Sequence, residues 1–156
     1  MLLAAILAIG SANAQPGNIG AGLAVGDTSG ISLGWRPNEW NAVQVGLGYD
    51  ALDGAVKGSA DYLQSVAVFD PSRNLRVPVY IGVGADVGRD MGGGRAPAAI
   101  GEEGGETDIA ARVPIGASLL FMRTPVEVFG QVIPSLRIVP DRQIDVDGTV
   151  GFRYHF

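Results

Sequence analysis

The end of the chain, residues 144–156, alternates apolar or glycine positions with polar ones. Neighbouring side chains of an extended strand point to opposite faces, so one face is apolar from Ile144 to Phe156 and the other carries Asp145, Arg153 and His155. The apolar face ends in three aromatic residues and the polar face carries both signs of charge. This pattern is typical of a lipid-facing wall around a polar lumen.

Turn signals rich in Gly, Pro, Asp and Asn divide the rest of the chain into similar stretches, and helical periodicity is absent. Consecutive antiparallel strands joined in this way form a meander. The predicted fold class is all-β, an eight-stranded antiparallel up-and-down transmembrane β-barrel. The candidate strands are 18–26, 31–36, 40–49, 57–69, 76–88, 108–122, 126–138 and 144–156.

The two faces of these strands differ in side-chain size. One face holds Val, Ile, Leu and aromatic residues, whereas the other is mainly small or charged, as in the run from Val43 to Tyr49. A lipocalin-like barrel would instead turn its large residues inward. The segregation therefore predicts a narrow lumen filled by small and polar groups.

Two features depart from regular alternation. In the strand 57–69 the large apolar residues do not all fall on one face, and a bulge near 61–64 would bring them to the same face. Pro78, Pro114 and Pro134 lie inside predicted strands, where each should mark a bulge or a missing ladder hydrogen bond.

The composition excludes several classes of function. The 156 residues suit one domain, and the absence of cysteine removes disulfides, thiolate metal sites and cysteine nucleophiles. A net charge of −5 without a basic cluster argues against nucleic acid as a partner. We expect neither a metal nor another cofactor.

The first residues predict export. Residues 1–14 form a short apolar run that ends in Ala12-Asn13-Ala14, the pattern of a signal-peptidase site, although no Lys or Arg precedes the run. We interpret 1–14 as a signal peptide and 15–156 as the barrel domain. The alternative is a buried N-terminal helix or strand, because the run is too short to cross a bilayer as a helix.

Aromatic residues collect at one predicted end of the barrel. If both termini are periplasmic, the long connection 89–107 is extracellular and the aromatic residues lie at the periplasmic rim, where they would form a membrane girdle. The predicted girdle consists of Trp35, Trp40, Phe69, Phe121, Tyr154 and Phe156.

Charged residues on the predicted inner face should form ion pairs, because an unpaired charge in a poorly hydrated lumen costs several kcal/mol. Folding the last hairpin places Arg137 near Asp145, and Glu127 near Arg153 or His155. The predicted lumen network consists of Asp86, Arg112, Glu127, Arg137, Asp145, Asp147, Arg153 and His155.

These charges allow more than one interpretation. They can form a salt-bridged plug, or a gated pathway in which the pairs exchange partners. His155, with Ser118 and Glu127 as conceivable neighbours, could instead support catalysis on lipids. We expect the plug and no enzymatic activity.

Acidic residues are frequent in the predicted outer loops. They are Asp50, Asp53, Asp61, Glu102, Glu103, Glu106 and Asp108. Their spacing matches no calcium-binding pattern, so a solvated surface is expected.

The terminal Gly151-Phe152-Arg153-Tyr154-His155-Phe156 resembles the β-signal of small outer-membrane barrels of the OmpA/OmpX-like size class. Further stretches of the C-terminal half, 113–116, 125–129 and 139–140, resemble an uncharacterised family of small outer-membrane barrels. The resemblance implies a bacterial outer-membrane location and recognition of Phe156 by the barrel-assembly machinery. It implies no catalytic residue.

The sequence thus predicts an integral outer-membrane protein with a structural or surface-interaction role. Its partners would be the lipid bilayer, the barrel-assembly machinery and possible extracellular molecules bound through 89–107. The alternatives are a lipid-binding or lipid-modifying barrel and a soluble periplasmic lipocalin-like binder.

Overall fold

The computed structural model describes residues 17–26, 29–50, 55–90, 107–139 and 142–156. The predicted signal peptide 1–14 and most of the predicted loop 89–107 lie outside the described residues. The described residues form nine strands: β1 (Ile19–Gly26), β2 (Ser29–Trp35), β3 (Asn41–Asp50), β4 (Ala55–Ser72), β5 (Leu75–Asp90), β6 (Thr107–Arg112), β7 (Ile115–Phe121), β8 (Val126–Val139) and β9 (Gln143–His155).

The strands form one antiparallel sheet that closes into a ring. From β1 to β5 each strand pairs with the next one in the chain, β8 pairs with β9, and the first strand, β1, pairs with the last, β9. Both β6 and β7 lie between β5 and β8, so they occupy the same position in the ring one after the other.

The structure thus has nine strands where eight were predicted, since the predicted strand 108–122 is divided at Val113 and Pro114. Proline has no N–H to donate to a ladder. The neighbouring groups find partners at the break: the amide of Gly82 donates to the carbonyl of Pro114 at 2.7 Å, and the amide of Val113 donates to the carbonyl of Pro134 at 2.9 Å.

Side chains alternate between the two sides of the ring as the sequence pattern predicts. Large apolar residues point away from the interior, and Val83 and Phe152 are 63% and 51% exposed. Charged residues point inward, and Glu127 and Arg153 are 1% and 3% exposed. The structure thus buries ionic groups and exposes apolar ones.

The irregular strand β4 contains the bulge that its mixed pattern requires. The pairing of β4 with β5 shifts register between Ser65 and Ala67, a few positions after the predicted 61–64. Tyr62 and Phe69 are an odd number of residues apart, yet they are 48% and 55% exposed. The extra residue at the bulge, Val66, lets both aromatic rings point outward.

The predicted aromatic residues are exposed at one end of the ring, which we call the terminal rim because β1 begins and β9 ends there. Pairing places Trp35 opposite Ile19, Tyr154 opposite Val126, and Phe121 opposite Val126 from the other side. All six residues of the predicted girdle are exposed: Trp35, Trp40, Phe69, Phe121, Tyr154 and Phe156.

The interior is not wholly polar, a feature that the sequence pattern did not predict. Leu63, Tyr80 and Ala42 form a buried apolar cluster, and Phe129 and Ile133 are buried on the inner face of β8. The interior of the described ring therefore contains apolar side chains as well as charged ones.

Candidate functional site

The side chain of Glu127 is the centre of the most densely bonded group inside the ring. Its Oε1 accepts hydrogen bonds from Arg36 Nη2 at 3.0 Å and from the Ser118 hydroxyl at 2.6 Å. Its Oε2 lies 2.8 Å from His155 Nε2 and accepts from Arg153 Nη1 at 3.4 Å. Both carboxylate oxygens therefore have two partners each, which compensates for the burial of a charge.

Strand register explains why these residues meet. Glu127 pairs directly with Arg153 on β9 and with Leu120 on β7. Ser118 lies two residues from Leu120, and His155 lies two residues from Arg153. Their side chains therefore point to the same face as that of Glu127. The alternating pattern of three adjacent strands thus brings four polar side chains to one place in the interior.

Arg153 extends the network across the ring. Its Nε and Nη2 donate to the Ser32 hydroxyl at 3.0 and 2.8 Å, and Nη2 also donates to the amide oxygen of Gln44. Its guanidinium carbon lies 4.0 Å from the centre of the Phe129 ring. All three guanidinium nitrogens thus donate to side chains of the interior, and one face of the group stacks on an aromatic ring.

A second ionic group continues from Gln44. The Gln44 amide donates to Asp61 Oδ2 at 3.4 Å, and Asp61 Oδ1 lies 3.0 Å from Arg112 Nε. Arg112 Nη1 in turn lies 3.7 Å from Asp86 Oδ2. The two groups therefore form one continuous polar chain along the interior.

The position of Asp61 corrects one expectation. We predicted that Asp61 belongs to the acidic outer loops, but it is 2% exposed and pairs with Arg112. The error arose because the sequence of β4 does not show which of its residues point inward. The bulge at Val66 lies after Asp61, so the earlier half of β4, which contains Asp61, keeps a regular register with β3.

The remaining members of the predicted network lie near the opposite end of the ring. Arg137 Nη2 is 3.5 Å from Asp145 Oδ2, with side chains 30% and 29% exposed. Asp147 is half-buried and pairs across the sheet with Ile133. Arg137 and Asp145 thus form a separate, more hydrated pair.

The charges of the continuous chain balance. Three arginines, Arg36, Arg112 and Arg153, accompany three carboxylates, Asp61, Asp86 and Glu127. An uncompensated buried ion costs several kcal/mol, so balanced pairing is the condition under which these groups can fill the interior. The lining can accordingly act as a plug of ion pairs.

The geometry around His155 differs from that of a nucleophilic triad. In such a triad the imidazole lies between the nucleophile and the acid. Here the Ser118 hydroxyl donates to Glu127, and the two nitrogens of His155 face Glu127 and the carbonyl oxygen of Gly17, the latter at 3.1 Å from Nδ1. Ser118 therefore has no hydrogen bond to the imidazole, which the triad mechanism requires.

Several residues of the site were missing from the predicted network. Arg36, Ser32 and Gln44 bind the charged residues, but the predicted network did not include them. The sequence analysis did not predict a role for Tyr80, which is buried and donates to Gln131 Oε1 at 3.1 Å. Its position between Val79 and Ile81, which point outward, could have identified Tyr80 as a residue that points inward.

Comparison with protein-family models, curated proteins and solved structures gives no match to this chain. Within the described ranges, no helix has the length and apolarity needed to cross a membrane. Those ranges also contain no group of three or more His, Asp or Glu side chains arranged to hold a metal ion. The function must therefore be argued from the ring and its interior.

Proposed function

We propose that this chain is an integral protein of the bacterial outer membrane with a structural or surface-interaction role. In this proposal the ring is an eight-stranded transmembrane barrel of the OmpA-like size class, in which β6 and β7 together form one strand interrupted at Pro114. Residues 1–14 direct export, and Phe156 is read by the barrel-assembly machinery. The connection 89–107 faces the exterior as a possible recognition surface.

One observation carries the proposal: the ring exposes its apolar side chains and buries its ionic ones. Val83, Val132 and Val150, on three different strands, are 63%, 53% and 63% exposed. An apolar surface that continues around a whole sheet is costly in water, whereas lipid is its favourable surrounding. A lipocalin-like binder would have the reverse distribution, with apolar groups lining an internal ligand cavity.

The ion-paired interior supports a closed barrel. Barrels of eight strands have an interior just wide enough for side chains to fill. Here Glu127, Arg153, Asp61 and Arg112 occupy that space and use one another as partners. A permanent aqueous pore would require these pairs to separate.

Fractionation tests the proposed location. After export in a Gram-negative host, membranes are washed with alkaline carbonate and the protein is run on SDS gels with and without boiling. We expect the protein to stay with the outer membranes and to migrate differently when unboiled, because closed barrels resist SDS. A soluble periplasmic binder would be released by the wash and would contradict the proposal.

The lipid-modifying alternative is tested by His155→Ala. We expect the variant to lose resistance of the unboiled form to heat, because Glu127 loses one of its four partners. Neither the variant nor the parent protein should generate new lipid species in membranes analysed by mass spectrometry. A product formed by the parent and lost in the variant would favour the enzyme.

A further inference from the structure

A cavity of about 350 Å³ lies at the terminal rim. The exposed residues Asn18 and Asn38 contribute to its lining, together with the buried His155 and Pro78. Its position at the end of the ring makes it a vestibule above the group around Glu127. It is therefore open to molecules on the side where the described chain begins and ends.

The vestibule combines apolar walls with a cation. Leu120, Met122 and Pro78 provide apolar surface, and Arg36 lines the same space. The Arg36 side chain is 15% exposed, whereas its partner Glu127 is 1% exposed. Arg36 is thus the charged member of this pair that a molecule in the vestibule can reach.

Arg36 retains hydrogen-bonding capacity. A guanidinium has five N–H donors, yet among the described residues that of Arg36 makes one hydrogen bond, from Nη2 to Glu127. Its Nε is buried without a hydrogen-bond partner there. A buried donor left without a partner costs about 1–3 kcal/mol, so a modest rotation of the side chain toward an acceptor would be favourable.

The charge near Arg36 also favours an anion. Glu127 is shared by Arg36, Arg153 and His155, and each of its oxygens already has two partners. The carboxylate therefore balances at most one of the two guanidinium charges. The group around Glu127 therefore has one more guanidinium charge than carboxylate charge.

The other arginine of the vestibule is already satisfied. Arg76 donates to Asp70 at 2.9 Å and also to Glu39, which itself lines the vestibule. The guanidinium of Arg76 thus already contacts two carboxylates. Of the two arginines that line the vestibule, Arg36 has the fewer carboxylate partners.

We propose that the vestibule binds a small organic anion that has a carboxylate and an apolar body. The carboxylate pairs with Arg36, and the apolar body packs against Leu120, Met122 and Pro78. A charge-assisted hydrogen bond to a guanidinium gives such a ligand its orientation. The site lies within the protein itself and is independent of the membrane that surrounds the ring.

Calorimetric titration of the folded protein in dodecyl maltoside micelles tests this proposal, with benzoate as the probe and benzyl alcohol as the uncharged control. We expect saturable heat with benzoate and none with benzyl alcohol. Arg36→Gln should weaken benzoate binding by about tenfold, which corresponds to ~1.4 kcal/mol. The matched control Arg123→Gln, an exposed arginine in a turn at the same rim, should leave binding unchanged.

Equal heats for benzoate and benzyl alcohol, or equal weakening by both substitutions, would overturn the proposal. If Arg36→Gln does not fold, the parent protein alone still tests the proposal. Benzoate should shift the NMR signal of the Met122 methyl group, and an unshifted signal would contradict binding in the vestibule. Carbonate extraction reports on the membrane location and benzoate titration on the vestibule, so the two proposals fail separately.

Discussion

His155 Nε2 lies 2.8 Å from Glu127 Oε2, on neighbouring strands that meet at the terminal rim. The same carboxylate binds Arg153 and Arg36, so one acidic side chain connects the last strand, β9, to the end of β2. Charge compensation among these strands therefore depends on one buried group.

Glu127→Gln should destabilise the protein strongly. The change removes a negative charge that is shared by two guanidinium groups and leaves Arg153 buried without its counter-ion. Breaking a buried ion pair costs about 3–5 kcal/mol. Guanidinium-induced unfolding in lipid vesicles measures the loss, and Glu39→Gln at the exposed rim is the control. A loss equal to that of the control would show that the Glu127 charge is not needed.

The buried pair of Asp61 and Arg112 should be energetically coupled. We expect the double variant Asp61→Asn, Arg112→Met to lose less stability than the sum of the two single variants, by about 0.5–3 kcal/mol, because the second change removes the ion whose nearest carboxylate the first has neutralised. Urea unfolding of the four proteins measures this coupling free energy.

The exposed pair of Asp70 and Arg76 provides the comparison. Their side chains are 57% and 27% exposed, so solvent screens the interaction and the same cycle should give ~1 kcal/mol or less. Similar coupling in the two pairs would mean that the interior is as hydrated as the rim.

Two glycines on strand faces should respond in opposite ways to alanine. A Cβ on Gly22 would lie 1.8 Å from the backbone oxygen of Phe152, whereas a Cβ on Gly148 would have nothing within 4 Å. Gly22→Ala should cost about 1–3 kcal/mol through overpacking at the seam between β1 and β9. Gly148→Ala should be neutral or stabilising by up to about 1 kcal/mol. Thermal unfolding compares them, and equal effects would contradict the register of this seam.

An arginine on the outer face distinguishes lipid from water as the surrounding medium. Val83→Arg should destabilise the protein in phospholipid vesicles by about 2–4 kcal/mol if β5 crosses the bilayer there. Thr124→Arg, in an exposed turn, should change stability by less than about 0.5 kcal/mol. If both variants unfold at the same denaturant concentration as the parent, the outer face is not in lipid.

Much of the fold could be predicted from alternation alone. Because side chains of a strand alternate between two faces, the sequence correctly predicts which residues of β8 and β9 point outward. Most residues of the predicted girdle and network also point to the face that this alternation assigns them. The alternation failed in β4, where the mixed phase gave no unique position for the bulge, and at Pro114, where one predicted strand became two.

The pairing of charges was less accessible to sequence reasoning. The last hairpin is local, so its turn places Glu127 opposite Arg153 with little freedom. Arg36 and Glu127 are separated by 91 positions, and Arg153 and Ser32 by 121. Such distant partners depend on how far each strand is displaced along its neighbour around the whole ring.

The amino-acid sequence by itself determined the all-β class, the meander and the two chemically different faces, because these depend on properties of adjacent residues. The tertiary structure decided the pairing of β1 with β9, the joining of Arg36 and Asp61 to the interior charges, and the vestibule beside Arg36. These features arise only when the sheet closes, since closure fixes the relative height of every strand and with it the side chains that meet across the interior.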